Sequence, residues 1–218
     1  RGCVFMFREA APKLGLDPEG TKFVVQGFGN VGSWLARIMQ SLGATMVGVS
    51  DAYRAIRCDA GIDAQALVRH LHSDGGKLVE FPGAEEISAG DLYEISCDVF
   101  FPAALGGMIH ADNADLLDCK MIVEGANNPT TFEADDILDD KGVMIVPDLM
   151  ANAGGVVASY FEWVQNLQHF RWDEKEVNSK LGSILRKAFH EVDARAEREK
   201  QTLRTAAFET AIERVVEA

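Results

Sequence analysis

Short apolar segments alternate with amphipathic segments along this chain, and the two patterns predict different secondary structures. Nearly continuous apolar runs predict strands at 21–28, 44–50, 97–103, 120–126 and 143–146, with a short strand at 77–81 inside a loop at 75–88. Apolar residues spaced three or four apart predict helices at 30–42, 63–72, 131–140, 152–168, 174–200 and 202–216, and the end of a helix at 1–14. Short helical segments or turns are expected at 89–95 and 109–117, and a small excursion at 53–61.

This alternation predicts the α/β class of fold. We expect a Rossmann-like, doubly wound and mostly parallel sheet with helices on both faces and a C-terminal helical extension. The 218 residues suffice for a single domain, with a sheet-forming core at 1–172 and the C-terminal helices at 173–218. Ligands of such sheets bind outside the carboxyl ends of the strands, so the segments that follow each strand form the candidate site.

The segment after the first strand reads Gln-Gly-Phe-Gly-Asn-Val-Gly over residues 26–32. In such a loop Gly27 allows a tight turn, Gly29 lets a pyrophosphate approach the backbone, and Gly32 lets the helix pack against the strand. The free N–H groups and the dipole at the helix start attract phosphate. The candidate cofactor-binding residues here are Gly27, Phe28, Gly29, Asn30, Val31 and Gly32. A glycine triplet by itself is also compatible with an ordinary turn.

Asp51 follows the second predicted strand, 19 residues after Gly32. An acid at this point can accept hydrogen bonds from both hydroxyls of an adenosine ribose, so the glycine loop and Asp51 together indicate a dinucleotide site. An aspartate that only forms a turn is the alternative. The acid favours NAD, whereas Arg54 or Arg57 could meet the 2′-phosphate of NADP.

Small and amide side chains follow the other predicted strands. Ala103 and Ala104 leave room for a ribose face, although simple packing would also explain them. Asn127 and Asn152 offer both hydrogen-bond donors and acceptors, as a carboxamide or a ribose requires. Turn formation by Asn127 and helix N-capping by Asn152 are the alternatives. These four residues extend the candidate cofactor site along the sheet edge.

Composition limits the classes of partner. The net charge of −13 argues against nucleic acid, which selects for basic surfaces. No apolar run approaches the length of a membrane span. The four cysteines have no Cys-x-x-Cys spacing, so we expect reduced, mostly buried thiols of an intracellular protein; they are Cys3, Cys58, Cys97 and Cys119.

Other chemistry finds little support in the motifs. The spacing of the five histidines predicts no metal site, and neither a Gly-x-Ser-x-Gly elbow nor a phosphate loop ending in Gly-Lys-Ser/Thr is present. One acidic run could suggest a cation site, but we expect a solvated helix face; it comprises Asp135, Asp136, Asp139 and Asp140.

A series of motifs resembles the cofactor domain of glutamate dehydrogenases, in the Glu/Leu/Phe/Val dehydrogenase family. Besides residues 26–32, the motifs include Val-Ser-Asp at 49–51, Phe-Pro-Ala-Ala at 101–104, Glu-Gly-Ala-Asn-Asn-Pro-Thr-Thr at 124–131, Asn-Ala-Gly-Gly-Val at 152–156, Ser-Tyr-Phe-Glu-Trp at 159–163 and Leu-Arg-Thr-Ala-Ala at 203–207. They run in order over nearly the whole chain. The resemblance implies oxidative deamination of L-glutamate to 2-oxoglutarate and ammonia, with NAD or NADP as hydride acceptor.

The resemblance also implies substrate contacts. Ser159 matches a serine that helps to bind the distal carboxylate, Val156 a residue that touches the substrate, and Asn152 one near nicotinamide and substrate. A hydroxyl donor suits a carboxylate, whereas an aliphatic substrate would leave it unpaired. Two alternatives stay open, namely a dehydrogenase of the Leu, Phe or Val type and a non-catalytic NAD-sensing module.

Half of the family's active site is expected to lie outside this chain. In the family, the catalytic lysine and aspartate belong to an N-terminal substrate domain, which would precede Arg1. We therefore expect weak cofactor binding, no turnover by the chain alone, and a homo-oligomer, typically a hexamer, for the full-length protein. The chain begins with arginine rather than methionine and shows no targeting pattern, so we expect a fragment of a cytoplasmic protein.

Overall fold

One sheet organises residues 1–73 and 76–217, which this computed structural model describes. Its seven strands within those residues are β1 (Lys22–Gln26), β2 (Thr45–Ser50), β3 (Ala55–Arg57), β4 (Glu85–Ile87), β5 (Val99–Pro102), β6 (Met121–Val123) and β7 (Met144–Val146). Their order across the sheet is β4-β3-β2-β1-β5-β6-β7. The strands from β2 to β7 in this order run parallel, whereas β3 and β4 pair antiparallel at one edge. The predicted Rossmann-like, mostly parallel α/β fold is confirmed.

The central strands bury both of their faces. In β1, Phe23 and Val25 point to one hydrophobic cluster, while Val24 between them points to the other. The neighbouring strand β5 repeats this alternation with Phe100 and Phe101, and all five side chains are inaccessible to solvent. Continuous apolar runs, rather than alternating ones, are the expected signature of such doubly covered strands.

Nine α-helices accompany the sheet within the described residues. They are α1 (Gly2–Ala10), α2 (Asn30–Ser41), α3 (Ala64–His72), α4 (Ala111–Ala114), α5 (Phe132–Asp140), α6 (Asp148–Ala151), α7 (Gly154–Gln168), α8 (Glu174–Glu199) and α9 (Leu203–Val216). Four of them begin after a side chain that accepts a hydrogen bond from a backbone N–H three residues on, namely Asp63, Thr131, Asp173 and Thr202. Such caps satisfy N–H groups that lack an intrahelical acceptor, which explains why these helices start there.

The C-terminal helices pack onto the same core as the sheet. Helix α8 lies along α1, and α9 packs against α8 and β7. Their buried residues Leu185, Phe189 and Ala206 belong to one hydrophobic cluster with Phe7 and Phe23. Residue 218, the end of the predicted extension, lies outside the described residues.

The strand predicted at 77–81 is wrong. Leu78–Glu80 form a short 3₁₀-helix, and the strand of this region is β4 instead. Leu78 and Phe81 both pack on the core. Their spacing of three residues matches the three-residue turn of a 3₁₀-helix, which places them on one side, whereas a strand would place them on opposite faces. Residue 75, the start of the predicted loop, lies outside the described residues.

Several predicted boundaries shift for local reasons. The helix predicted at 1–14 ends at Ala10, and Ala11–Leu14 continue as a 3₁₀-helix around Pro12, which lacks an N–H. The excursion at 53–61 contains β3, which continues the sheet antiparallel from β2. The helix predicted from residue 152 begins two residues later, at Gly154, and the short helix α6 that precedes it was not predicted.

All four cysteines are free thiols. Cys3 is buried, and the other three are half-buried, so the predicted burial holds fully only for Cys3. No helix in the described part of the chain is both long and apolar enough to cross a membrane.

Candidate functional site

The candidate site lies along the edge where the parallel strands end. The chain enters the sheet at β1, builds towards β2 on one side, and later continues with β5 on the other side. A crevice therefore opens between the segments that leave β1 and β5, which is where doubly wound sheets bind their ligands.

The turn after β1 depends on glycine at position 27. Gly27 has a φ of +92°, which L-residues rarely adopt. A Cβ at this position would lie 2.8 Å from the Cα atom of Ala104, so the two segments touch across the crevice. The Gly27 N–H donates to the carbonyl of Ser50 at 3.0 Å, which anchors the turn to β2.

The other two glycines differ in what surrounds them. A Cβ on Gly32 would lie 2.0 Å from the carbonyl oxygen of Gly27, so the first turn of α2 packs directly on the loop. A Cβ on Gly29 would meet no atom within 4 Å, and no side chain caps α2. The space in front of the helix N-terminus is thus open, and its N–H groups are available to an anion such as a pyrophosphate. Phe28 beside it is half-buried, and Asn30 and Val31 are exposed.

Asp51 stands at the end of β2 and forms a turn. Its Oδ1 accepts hydrogen bonds from the backbone N–H groups of Tyr53 and Arg54, both at 2.8 Å. These bonds orient the carboxylate, while its Oδ2 accepts no hydrogen bond from the described residues. The turn role and a ribose-binding role are therefore compatible in one side chain.

The two arginines near Asp51 are both ion-paired. Arg54 donates from Nη1 to Oε1 of Glu86 on β4 at 2.9 Å. Arg57 makes two bonds to the carboxylate of Asp59, at 2.9 and 3.1 Å. Each positive charge close to the end of β2 is thus directed at an acid of the protein itself.

Ala103 and Ala104 are half-buried at the end of β5. The Ala103 N–H donates to the carbonyl of Gln26 at 2.8 Å. Ala104 is the residue against which Gly27 packs, so its small side chain permits the close approach of the two segments. Packing alone accounts for an alanine at 104, and the half-exposed faces of both residues line the crevice.

The structure brings Asn127 and Asn152 together. Asn152 Nδ2 donates to Asn127 Oδ1 at 2.6 Å, although the residues are 25 positions apart. Asn127 Nδ2 and Asn152 Oδ1 have no hydrogen-bond partner in the described part of the chain, so the pair offers one donor and one acceptor. Asn152 terminates α6, and Ala153 occupies the N-cap position of α7, which contradicts N-capping as the alternative role of Asn152.

Val156 and Ser159 are exposed on the first turns of α7. Three residues separate them, so they lie on one face of the helix. The start of α7 crosses α1 closely, because a Cβ on Gly154 would lie 2.9 Å from the Cα atom of Gly2. This contact holds the beginning of α7 beside the sheet edge.

Asp51 is not close to the asparagine pair. Three strand spacings, about 14 Å in total, separate β2 from β6 across the sheet. The glycine turn lies between the two ends. The candidate residues thus form a row rather than a cluster, which suits an extended ligand with two polar ends and an anionic centre.

A buried ionic cluster beneath the asparagine pair was missed by the sequence analysis. Arg204 of α9 donates from Nη2 to Glu124 Oε1 at 2.7 Å and from Nη1 to Glu124 Oε2 at 3.0 Å, and it also binds Asp135. Asp148 lies beside the guanidinium, at 3.9 Å from Nη1. Arg204 is 7% exposed and Glu124 is fully buried. The available signal was an arginine within the apolar pattern of α9 and a glutamate directly after a buried strand.

This cluster corrects the prediction for the acidic run. Asp136, Asp139 and Asp140 are exposed as expected, but Asp135 turns inwards to Arg204. Burial raises the pKa of Asp135 above its ordinary value, against the opposing effect of Arg204. Burial acts to lower the pKa of Arg204, but hydrogen bonds and charge from Glu124 and Asp135 outweigh it and raise that pKa. The guanidinium is therefore charged at neutral pH.

The sheet topology and the glycine turn define a Rossmann-type α/β domain, the class that binds nucleotides at this edge. Comparison with known proteins narrows the assignment from this class of fold to one family. The family model described as Glutamate/Leucine/Phenylalanine/Valine dehydrogenase matches residues 1–218, and the chain belongs to this family.

Individual relatives agree with the family. Glutamate dehydrogenase of Thermotoga maritima is 46% identical over 206 residues, which are 94% of this chain and 49% of that protein. The hetero-hexameric glutamate dehydrogenase of Thermus thermophilus, in its Leu-bound form, superposes with a TM-score of 0.93 at 31% identity over 99% of this chain and 51% of that chain. Glutamate dehydrogenase of Peptoniphilus asaccharolyticus gives 0.83 at 32% identity, covering 98% and 50%. The chain thus spans about half the length of the relatives it matches.

Proposed function

We propose that this chain is the nicotinamide-cofactor-binding half of a glutamate dehydrogenase. The full-length enzyme would convert L-glutamate, NAD(P) and water to 2-oxoglutarate, ammonia and NAD(P)H. The observation that carries the proposal is the open space at Gly29 in front of an uncapped helix, with Asp51 at the end of the next strand. Family membership and the 46% identity to a glutamate dehydrogenase support it.

The residues of the row match the parts of a dinucleotide in order. The N–H groups at the start of α2 bind the pyrophosphate, and Asp51 Oδ2 accepts hydrogen bonds from the adenosine ribose. Ala103 and Ala104 leave room for the nicotinamide ribose. Asn127 Nδ2 and Asn152 Oδ1 supply the donor and the acceptor that a carboxamide requires. When bound, the nicotinamide accepts a hydride from the substrate, and this chain binds and orients the reactants.

NAD is favoured over NADP by the charges around Asp51. A 2′-phosphate would approach the carboxylates of Asp51 and Glu86, and it would have to draw Arg54 away from Glu86. Arg57 is held in the same way by Asp59. Both arrangements act against a 2′-phosphate, although either arginine would bind this phosphate if it were released from its acid.

Glutamate is favoured over aliphatic amino acids by Ser159. Its hydroxyl is exposed on α7, on the same face as Val156, and can donate to a distal carboxylate. Leu, Phe or Val substrates would leave that hydroxyl unpaired. In the full-length enzyme we expect Ser159→Ala to raise the KM for glutamate about tenfold and to change kcat little. An unchanged KM would assign Ser159 no part in substrate binding.

The remaining half of the active site belongs to the rest of the full-length protein. The catalytic lysine and aspartate and the hexameric assembly are expected there, as the resemblance to the family implies. The Thermus thermophilus relative is itself hetero-hexameric. We propose that the 218-residue chain alone binds the cofactor weakly and does not oxidise glutamate.

Calorimetric titration of the 218-residue chain with NAD and NADP tests the proposal. We expect binding of NAD with a lower Kd than NADP, and no glutamate-dependent formation of NADH. If neither NAD nor NADP binds, the cofactor-binding role is refuted. Robust glutamate oxidation by this chain would refute the division of the active site between two halves. A non-catalytic NAD-sensing module would bind NAD as well, but its full-length form would not oxidise glutamate.

A further inference from the structure

The cluster around Arg204 joins the C-terminal helix to two separate loops of the sheet edge. Glu124 precedes the loop that carries Asn127, and Asp148 opens the short helix α6, whose C-cap is Asn152. Arg204 binds Glu124 with two parallel hydrogen bonds, an arrangement with a single relative orientation. The partners are 80 residues apart in the chain, so only the tertiary fold brings them together.

Hydrogen bonds continue from this cluster to the asparagine pair. Glu124 Oε2 accepts from the backbone N–H of Asp148 at 2.9 Å. Asp148 Oδ2 in turn accepts from the backbone N–H of Asn128 at 2.7 Å. Asn128 has a φ of +45°, a left-handed conformation that needs such support, and its neighbour Asn127 accepts from Asn152. Hydrogen bonds thus lead from α9 to the backbone N–H of Asn128, and the chain itself joins Asn128 to Asn127, which is bonded to Asn152.

The cluster is arranged to hold position rather than to react with a ligand. Glu124 is inaccessible to solvent and Arg204 is 7% exposed, and each of these charges is already paired within the protein. Both oxygens of Glu124 and the Nε, Nη1 and Nη2 atoms of Arg204 are used in hydrogen bonds within the protein. Buried, hydrogen-bonded charges of this kind have few alternative arrangements, because a displaced charge would lose its partner without gaining water.

We infer that Arg204 is a positioning residue for the nicotinamide end of the cofactor site. Through Glu124 and Asp148 it holds Asn127 and Asn152 at the separation that a carboxamide requires. The inference rests on the proposed function, because it needs the asparagine pair to face the nicotinamide. It also predicts that the adenosine and pyrophosphate end, held by Asp51 and the start of α2, does not depend on Arg204.

Two ligands separate the two ends of the site. NAD contains the nicotinamide, whereas ADP-ribose contains the adenosine, the pyrophosphate and a ribose without it. We expect Arg204→Met in the 218-residue chain to raise the Kd for NAD about tenfold and to change the Kd for ADP-ribose less than about twofold. Isothermal titration calorimetry measures both. Loss of affinity for both ligands in equal measure would overturn the inference, because a merely structural role would weaken the whole site.

A matched control removes a different arginine that also forms an ion pair with α9 but lies outside the Arg204 network. Arg195 of α8 pairs with Glu213 of α9 at 2.9 Å and has no link to Glu124. We expect Arg195→Met to leave both Kd values unchanged within about twofold. If Arg195→Met weakened NAD binding as much as Arg204→Met does, the effect would be explained by general destabilisation of α9 and not by the hydrogen bonds from Arg204 to the asparagine pair.

Two further variants keep the test decisive if Arg204→Met fails to fold. The pair Arg204→Met with Glu124→Gln removes the guanidinium and the fully buried glutamate charge together, so that only the more exposed Asp135 and Asp148 lose their partner. Asp148→Ala leaves the Arg204–Glu124 pair intact and releases the Asn128 N–H, together with the Leu149 N–H that Asp148 Oδ1 accepts. We expect both to weaken NAD selectively over ADP-ribose, and unchanged NAD affinity in either one would overturn the inference.

Binding of NAD and ADP-ribose to the unmodified chain distinguishes failure of this inference from failure of the proposed function. If the chain binds neither ligand, the proposed cofactor role fails. If it binds NAD and ADP-ribose with the same Kd, dinucleotide binding stands, but the asparagine pair contributes nothing and the inference fails. We expect NAD to bind more tightly than ADP-ribose.

Discussion

Gly29 and Gly32 lie three residues apart in one loop but have different physical roles. Gly32 has no room for a side chain, so it is required by the fold. Gly29 has ample room and an extended backbone with a φ of −82°, so nothing in the fold demands a glycine there. The space that glycine leaves at position 29 is therefore best explained by a ligand.

Gly29→Ser tests this explanation. Serine is a favourable N-cap residue, so we expect the free energy of unfolding to change by less than about 1 kcal/mol. Its hydroxyl would accept from the N–H groups that we propose to bind the pyrophosphate, and the Kd for NAD should rise about tenfold. Gly32→Ala is the contrasting variant, with an expected loss of about 2 kcal/mol or more from overpacking. Urea unfolding and calorimetry measure the two quantities; unchanged NAD affinity in Gly29→Ser would speak against a phosphate site.

Asp51→Asn separates the two roles of this side chain. The asparagine Oδ1 can still accept from the N–H groups of Tyr53 and Arg54, so the turn and the stability should persist. The lost charge weakens the acceptor for ribose hydroxyls and removes repulsion of a 2′-phosphate. We expect the ratio of Kd(NADP) to Kd(NAD) to fall about tenfold. A constant ratio, measured by calorimetry, would show that Asp51 serves the turn alone.

At the scale of elements, the parallel strands are joined near their amino ends by an ion pair. Asp98, just before β5, accepts from Lys120 Nζ at 2.8 Å and from the Lys22 N–H at 2.9 Å. Burial acts to raise the pKa of Asp98, but these bonds outweigh it and lower that pKa below the ordinary 3.8. The ionised form is thus favoured by folding, and its contribution to stability is present above pH 3.8.

Asp98→Asn should therefore destabilise the protein in a pH-dependent way. The side chain is 22% exposed, so we expect a loss of about 1 kcal/mol at pH 7. As the pH falls below 3.8 and through the lowered pKa of folded Asp98, the advantage of the parent chain should disappear. Urea unfolding of both chains at neutral and acidic pH measures this. A stability difference that is independent of pH would contradict the assignment of the effect to the charge.

Local patterns predicted most elements because sustained helical spacing, and apolar runs bounded by turn residues, each favour one type of secondary structure. Continuous apolar runs place the parallel strands, and helical spacing places the starts of α3, α5, α8 and α9 to within one residue. The strand predicted at 77–81 fails because a short apolar run is compatible with both a strand and a helical turn. Only the core that surrounds Leu78 and Phe81 decides between them.

At the scale of the whole molecule, helices α7 and α9 expose apolar side chains that the described residues do not cover. On α7, Tyr160 and Trp163 are 56% and 57% exposed, and on α9 Phe208 and Ile212 are 43% and 58% exposed. Apolar surface of this kind favours association in water. This exposed apolar surface is consistent with the finding that the chain covers 49% of the length of its Thermotoga maritima relative.

Trp163→Glu tests whether this surface drives self-association of the 218-residue chain. We expect the parent chain to self-associate as its concentration increases. The dissociation constant of this self-association should be about tenfold higher for Trp163→Glu. Because Trp163 is more than half exposed, the midpoint of urea unfolding should shift little. Sedimentation velocity over a range of concentrations measures the association. If the parent chain and Trp163→Glu associate to the same extent, or if neither associates, this surface does not drive self-association.

The sequence by itself determined the class of fold, the glycine turn, Asp51 and the family. These features are encoded over short distances, by periodicity, by backbone conformations that only glycine adopts easily, and by motifs of a few residues. Tertiary structure alone decided how distant polar groups combine. Asn127 meets Asn152, and Arg204 meets Glu124 and Asp135 across 80 and 69 residues. Spacing along the chain carries no trace of such contacts, because burial and the crossing of α9 over the sheet edge bring them about.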